Sequence, residues 1–396
     1  MSKLLEQINS TKTTKKLGDL VFINQSSIVN GFTHNEIEYI DTASVTRNHF
    51  DTPQILNTNE APSRAKRLLK DGDTILSTVR PNLCHYGFIK NPKPNTVAST
   101  GFVVLTPKNI DPFYLYSYLT QDSITNTLSS IAEATTTTFP AFRPEVLSEM
   151  AIEIPDLPTQ KKIAEILSAY DEKIENNNKI IKNLEATAQA IFNEWFINFR
   201  FPGYEKVKMI NSEMGEIPEG WEVAPLSNIA DIVMGQSPTS DHYNSGKNGL
   251  PFHQGVTYFC DRYPEDIVYS TGGEKIAEEN DILISVRAPV GRINIANQKT
   301  IIGRGLSAVR SKNNQQCFLL YLLKTLFHKE DLFGGGSVFP SITKGEFEKL
   351  KVIAPKSEIT LLFDKKISNF DLEIKNLIVE NVNLKESRDR LLAKLI

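Results

Sequence analysis

The sequence predicts an α+β chain in which two pseudo-twofold-related α/β domains are separated by two long helices forming an antiparallel coiled coil. Three observations carry this: a repeat with a period of about 200 residues, short β-branched runs in both copies, and apolar residues at alternating 4-3 spacing after each copy. A length of 396 residues suits two or three domains better than one core, and an apolar content of 40% is enough to fill them.

The repeat runs through the whole chain. Phe139-Pro140 returns as Phe339-Pro340, Pro155 as Pro355 and Asp171 as Asp371, each 200 positions on. Upstream, "KLGDLVFI" (Lys16 to Ile23) parallels "PLSNIADIV" (Pro225 to Val233), and "DGDTILSTVRP" (Asp71 to Pro81) parallels "ENDILISVRAP" (Glu279 to Pro289). "PFYLYSYLTQ" (Pro112 to Gln121) parallels "CFLLYLLKTL" (Cys317 to Leu326). The order is the same in both halves, which is a domain-sized duplication rather than a solenoid of short repeats. Runs such as "DTILSTV", "GFVVLTP", "DILISV" and "LSAVRS", set between Gly, Pro, Asn and Asp, predict a small mixed sheet with one or two helices in each copy.

Each copy is followed by a stretch rich in Lys, Glu, Asn, Ile and Leu that reads as a long helix. In the first, Ile163, Leu167, Tyr170, Ile174, Asn177, Ile181, Leu184, Ala188, Ile191 and Trp195 alternate by four and three. Phe363, Ile367, Phe370, Ile374, Leu377, Asn381, Leu384, Arg388, Leu391 and Leu395 do the same in the second. Sustained 4-3 spacing is a coiled-coil seam. An antiparallel pairing that sets Asn177 against Asn381 also sets Ile163 against Leu395, Ile181 against Leu377 and Trp195 against Phe363, and a buried asparagine pair fixes register. Trp195-Phe196 either caps this coiled coil against the second domain or forms part of a docking surface, and the core role is favoured.

Composition excludes several functions. The net charge of -3 marks no polycation, so a basic surface must be local. Cys84, Cys260 and Cys317 form no CxxC, which argues against zinc, redox and disulfide roles and for a reducing, cytoplasmic home. No apolar run suits a signal or a membrane span. His34, His49, His85, His242, His253 and His328 form no HExxH. Asp156 with Asp171 and Lys173 loosely fits the carboxylate-lysine pattern of metal-dependent nucleases, but that chemistry needs neighbouring strands, and Asp171 to Lys173 lie within a helical stretch. "GGGSVFPSITKG" lacks the GK[ST] ending of a phosphate loop, and neither a glycine-rich cofactor loop nor an Asn-Pro-Pro-aromatic methylation motif occurs.

Two similar domains joined by antiparallel helices suit the dyad of duplex DNA. From Ile163 to Trp195 is roughly 48 Å of helix at ~1.5 Å per residue, more than one turn of DNA. Two short target sequences with unread base pairs between them follow, and they should differ because the halves differ.

At this point the residues resemble a known family. "TTTTFP" and "GGGSVFP", each leading to a strand ending at Pro155 or Pro355, are similar to motifs of the specificity subunits of type I restriction-modification systems. So are "PTQKKIAEILSAYDEKIENN", "AQAIFNEWFINFRFP", "GEIPEGWEVAPLSNIADIVMGQSP", "PFHQGV", "CDRYP", "DILISVRAPVGRINIA" and "IGRGLSAVR". The resemblance covers essentially the whole chain. It implies target-recognition domains at 1–156 and, with a linker, 201–356, and spacer helices at 157–200 and 357–396. It further implies a non-catalytic subunit that binds a bipartite, asymmetric site in double-stranded DNA. Two methyltransferase subunits and the restriction subunits would dock on it, bringing S-adenosylmethionine, ATP and Mg²⁺, with no cofactor or metal in this chain. The rivals are a self-sufficient nuclease or methyltransferase, and a coiled-coil scaffold that ignores DNA.

Arg and Lys suit guanine, Asn and Gln suit adenine, and Ser or Thr suit either. Candidates in the first domain are Arg47, Asn48, Thr78, Arg80, Asn82, Thr136, Thr137 and Thr138. In the second they are Gln236, Ser237, His253, Gln254, Ser285, Arg287, Arg292, Arg304 and Ser337. Arg80 and Arg287, each following the same repeated strand, are the favoured pair; phosphate contact is the alternative role.

Overall fold

The computed structural model describes residues 6, 8, 10–28, 32–135, 140–328 and 341–396. Its longest elements are the two helices that the 4-3 spacing predicts. Five helices matter below: α1 (Pro112–Leu119), α2 (Asp122–Thr135), α3 (Leu157–Phe192), α4 (Gln316–His328) and α5 (Ser357–Leu395). Helix α3 carries its one proline, Pro158, in the first turn, where a missing N–H costs nothing, and Asp156 accepts from the Thr159 amide at 3.1 Å as its N-cap. Helix α5 has neither Gly nor Pro. The chain divides into two compact units, Met1–Asn177 with Val379–Ile396, and Asn178–Ile378, so each unit takes a part of α3 and a part of α5.

In the first unit a four-stranded antiparallel sheet runs Val21–Ile23, Phe102–Pro107, Thr74–Ser77, Tyr86–Phe88. A second sheet runs Gln54–Asn57, Glu36–Ile40, Thr96–Ser99, Ala65–Leu68, its middle pair parallel. The ribbon Thr13–Lys16 with Ala151–Ile154 leads into α3. Leu17, Leu20, Leu105 and Tyr114 fill a core that Ile163, Leu167 and Leu395 of the long helices join.

The second unit repeats this order. Its four-stranded sheet runs Ala230–Met234, Leu306–Ser311, Ile282–Ser285, Ile293–Ile295, and its second sheet again has one parallel pair, Leu250–His253 with Thr300–Ile302. The ribbon Glu222–Pro225 with Lys351–Ala354 leads into α5. Thr74–Ser77 and Ile282–Ser285 are wholly buried, which is why these runs are continuous rather than alternating. The residue before each is a buried aspartate. Asp73 accepts from Lys70 N and Thr106 Oγ1, both at 2.7 Å, and Asp281 holds Arg310 through two contacts of 2.6 and 2.7 Å.

The helices pair antiparallel within each unit. In the first, Asn177 Nδ2 donates to Asn381 Oδ1 at 2.9 Å, and Asp171 meets Arg388 at 2.5 Å, so numbers fall on one helix as they rise on the other. In the second, Phe192 and Trp195 each stand 5.9 Å from the Phe363 ring. Phe196 is buried among Phe318, Phe363 and Trp221 at 4.8, 5.2 and 5.9 Å, so this aromatic pair belongs to the core. Among the described residues no helix is long and apolar enough to cross a membrane.

Candidate nucleic-acid interface

In the second unit, glycines let three backbone segments meet. A Cβ on Gly235 would lie 2.2 Å from the Gly303 carbonyl oxygen, and one on Gly305 would lie 2.6 Å from that of Gln254. Only glycine permits such an approach. The contact is closed by Gln236 N donating to Ile302 O at 3.0 Å and Gly305 N to Gln254 O at 3.1 Å. Ser237 Oγ then donates to Gln254 Oε1 at 2.7 Å and accepts from Arg304 N at 3.2 Å. Four predicted residues, Gln236, Ser237, Gln254 and Arg304, are thereby brought together. Val286 N donates to Gly305 O at 2.9 Å, so the exposed Arg287 leaves the fold beside them.

The first unit builds the same strap. Thr78 N and Oγ1 both donate to Gly101 O, at 2.9 and 3.0 Å, and Phe142 N donates to Thr78 O at 3.0 Å. Arg80 N donates to Pro140 O at 2.8 Å, and its φ of 48°, a left-handed value that few non-glycine residues adopt, opens the turn Pro81–Leu83. Arg80 and Asn82 are exposed.

These bonds fix how the ends of the two repeated strands correspond. Ile342 N donates to Val286 O at 2.9 Å, as Phe142 N does to Thr78 O, so Val286 is the counterpart of Thr78. Arg287 therefore stands in the place of Val79, one position before that of Arg80. Val79 bridges Ala141 where Arg287 bridges Ser341.

Other expectations fare differently. His253 is 1% exposed, its Nε2 3.0 Å from Asp266, and Ser285 is equally buried, donating to Pro289 O at 2.6 Å and accepting from Arg292 N at 2.8 Å. Both are corrected from base readers to supports of the loops around them, because a side chain sealed inside the fold presents nothing to a base. Arg292 itself is exposed. Arg47 and Asn48 form the two-residue turn between Val45–Thr46 and His49–Phe50, both at positive φ as a type I′ turn requires. Asn48 Oδ1 accepts from Phe88 N at 2.7 Å, and Arg47 lines a cleft of about 430 Å³ with Tyr86, Tyr116, Asp171 and Arg388. Arg47 thus faces the helix pair. Thr136, Thr137, Thr138 and Ser337, with Phe139, Phe339 and Pro340, lie outside the described residues.

Sequence reasoning passed over Arg64. Its carbonyl accepts from Thr100 N at 2.7 Å beside Gly101, its Nε donates to Tyr39 OH at 3.1 Å, and the basic run "RAKR" (Arg64 to Arg67) was the available signal. The nuclease pattern dissolves: Asp156 caps α3, Asp171 is ion-paired with Arg388, and among the described residues no His/Cys/Asp/Glu group suits a metal.

The family model described as the type I restriction modification DNA specificity domain matches residues 9–186 and again 218–383, once in each repeat. The chain belongs to this family. It is 37% identical over 279 residues to the putative type I restriction enzyme MjaX specificity subunit of Methanocaldococcus jannaschii, a match covering 69% of this chain and 65% of that relative. It is 28% identical to the type I restriction enzyme HindI specificity subunit of Haemophilus influenzae, over 91% of this chain and 93% of that one. The solved S subunit of a type I restriction-modification system from M. genitalium shares the fold, with a TM-score of 0.56 at 17% identity over 98% of this chain and 97% of that one.

Proposed function

We propose that this specificity-family chain reads a bipartite, asymmetric site in duplex DNA, one half-site per repeat, and contributes recognition rather than catalysis. The observation that carries the reading is that each repeat holds the same backbone strap, Thr78 against Gly101 and Val286 against Gly305, while presenting different side chains from it. Arg80 and Asn82 stand on one strap, and Gln236, Gln254, Arg287 and Arg304 stand on or beside the other. These groups suit bases or phosphates. Methyltransferase subunits, in two copies, and restriction subunits are the proposed partners on the helices, and they bring S-adenosylmethionine, ATP and Mg²⁺.

Mapping of adenine methylation with and without this chain tests the reading. A two-part motif that vanishes on deletion and returns on complementation is expected; unchanged methylation after deletion refutes it. A scaffold indifferent to DNA predicts no such motif.

A further inference from the structure

The second unit contains an ionic cluster, centred on a buried arginine, that the proposed reading does not use. Arg262, 4% exposed, comes from the loop after Leu250–His253; its guanidinium contacts Glu185 of α3 at 2.9 Å and Asp371 of α5. Burial opposes its charge, but Asp371 and Glu185 more than restore it. Tyr321 of α4 lies in the same electrostatic neighbourhood, and the Cys317 thiol donates to Asp371 at 3.2 Å. One buried side chain of the recognition domain therefore grips both long helices, through carboxylates that keep 27% and 23% of their side-chain surface exposed. A second charged tie lies nearby: Asp364 of α5 accepts from Cys317 N at 3.1 Å and Phe318 N at 2.8 Å, capping α4.

The duplication shows what this grip replaces. Asp171 and Tyr116 are the counterparts of Asp371 and Tyr321, but in the first unit the guanidinium beside them belongs to Arg388 of α5, at the repeat position of Ala188. There the pair joins helix to helix, and the loop after Glu36–Ile40 brings Arg47 to the lining of a cleft that Asp171 and Arg388 also line. A single ionic contact satisfies the repeated aspartate in both units; in the second unit alone it also ties the recognition domain to the helices.

We infer that Arg262 is a positioning residue, fixing how the second recognition domain is carried on the helix pair and hence the spacing at which its half-site is accepted. This rests on the reading of one half-site per repeat. Such a residue touches no base; its effect is on geometry.

The test uses the full chain assembled with its methyltransferase subunit, on duplexes whose unread segment is one base pair shorter or longer than the cognate spacing. Arg262→Met with Asp371→Asn removes both charges together, and Glu185 keeps Lys324 at 3.6 Å. Methylation at the altered spacings, relative to cognate, is expected to rise at least about tenfold with both half-site sequences unchanged, and Arg388→Met with Asp171→Asn is expected to leave the ratio alone. An unchanged ratio in the first variant, or an equal rise in both, overturns the inference. Should the first variant fail to fold, Glu185→Gln decides: a smaller rise in the same direction supports the role, and none refutes it. If the unaltered complex shows no two-part motif, the reading of the chain has failed rather than the role of Arg262.

Discussion

Asp171 and Asp371 stand at the same place in the two repeats, and each holds an arginine, yet the arginines arrive from different directions. Arg388 reaches Asp171 from the facing helix, whereas Arg262 reaches Asp371 from the recognition domain. The capping of the equivalent helices is exchanged in the same sense. Helix α1 is capped locally by Asp111, which accepts from Phe113 N and Tyr114 N at 3.0 Å, while α4 is capped by Asp364 of α5, where the first repeat has Ala164. Each requirement, an arginine for a half-buried carboxylate and an acceptor for a helix N-terminus, is met in both units. The second unit meets both with charged groups that join domain to helix. In the first, the corresponding tie is neutral: Gln160 of α3 accepts from Asp111 N at 3.0 Å.

The largest expected difference lies between the arginines. Arg262 is sealed and serves two carboxylates at once, but those left behind by Arg262→Met are 27% and 23% exposed, so the variant should destabilise the chain by about 3 kcal/mol, the lower end of the cost of breaking a buried pair, in urea unfolding. Arg388 is 30% exposed and holds a single α3 carboxylate, Asp171, where Arg262 holds two, so Arg388→Met should cost less, about 1–2 kcal/mol. A cost for Arg388→Met equal to that for Arg262→Met would break the comparison.

A smaller effect, of opposite sign, is expected at the asparagine layer of the first unit. Asn177 is fully buried, donates to Glu380 and Asn381, and leaves its own Oδ1 without a partner. A polar pair in a seam lowers stability while fixing register. Asn177→Leu with Asn381→Leu should raise the melting temperature by a few degrees, on the order of 1 kcal/mol, and should allow shifted or intermolecular helix pairings that size-exclusion chromatography resolves. A lowered melting temperature with unchanged association would mean that the amides stabilise rather than specify.

This layer was the part of the fold most legible in the sequence, because periodicity and duplication are one-dimensional signals. The 4-3 spacing set Asn177 against Asn381, and the repeated runs marked the repeated strands. The arginine exchange was not legible. Asp171 was visible as a repeat of Asp371, but its partners lie 217 and 109 positions away in the two units and depend on side chains meeting through space. The candidate interface was legible by residue type and not by exposure: Gln254 and His253 are neighbours in sequence, yet one projects from the loop and the other is sealed against Asp266. The end of the strand decides this, since Pro251, Phe252 and His253 are all buried and exposure begins at Gln254, and that edge could not be placed closely enough from composition.

The smallest expected effect is a pH dependence confined to the second unit's cap. Burial is the leading cause that pushes the Asp364 carboxyl from an ordinary 3.8 up to about 6, against the lowering effect of the Phe318 and Cys317 amides, and nearby Asp371 adds to the rise. The folded chain therefore binds this proton more tightly than the unfolded chain. The resulting contribution to stability is fully present below about pH 4 and is lost as pH rises through about 6. Asp364→Asn keeps one oxygen to accept from Phe318 N but cannot titrate. The melting temperature of the unaltered chain minus that of Asp364→Asn should therefore grow as pH falls from 7 towards 4.5, with effects of other groups cancelling in the subtraction. A difference that stays flat across this window would show that the cap keeps its charge in the folded chain, and that the exchange from Asp111 to Asp364 moved the source of the cap without changing its protonation.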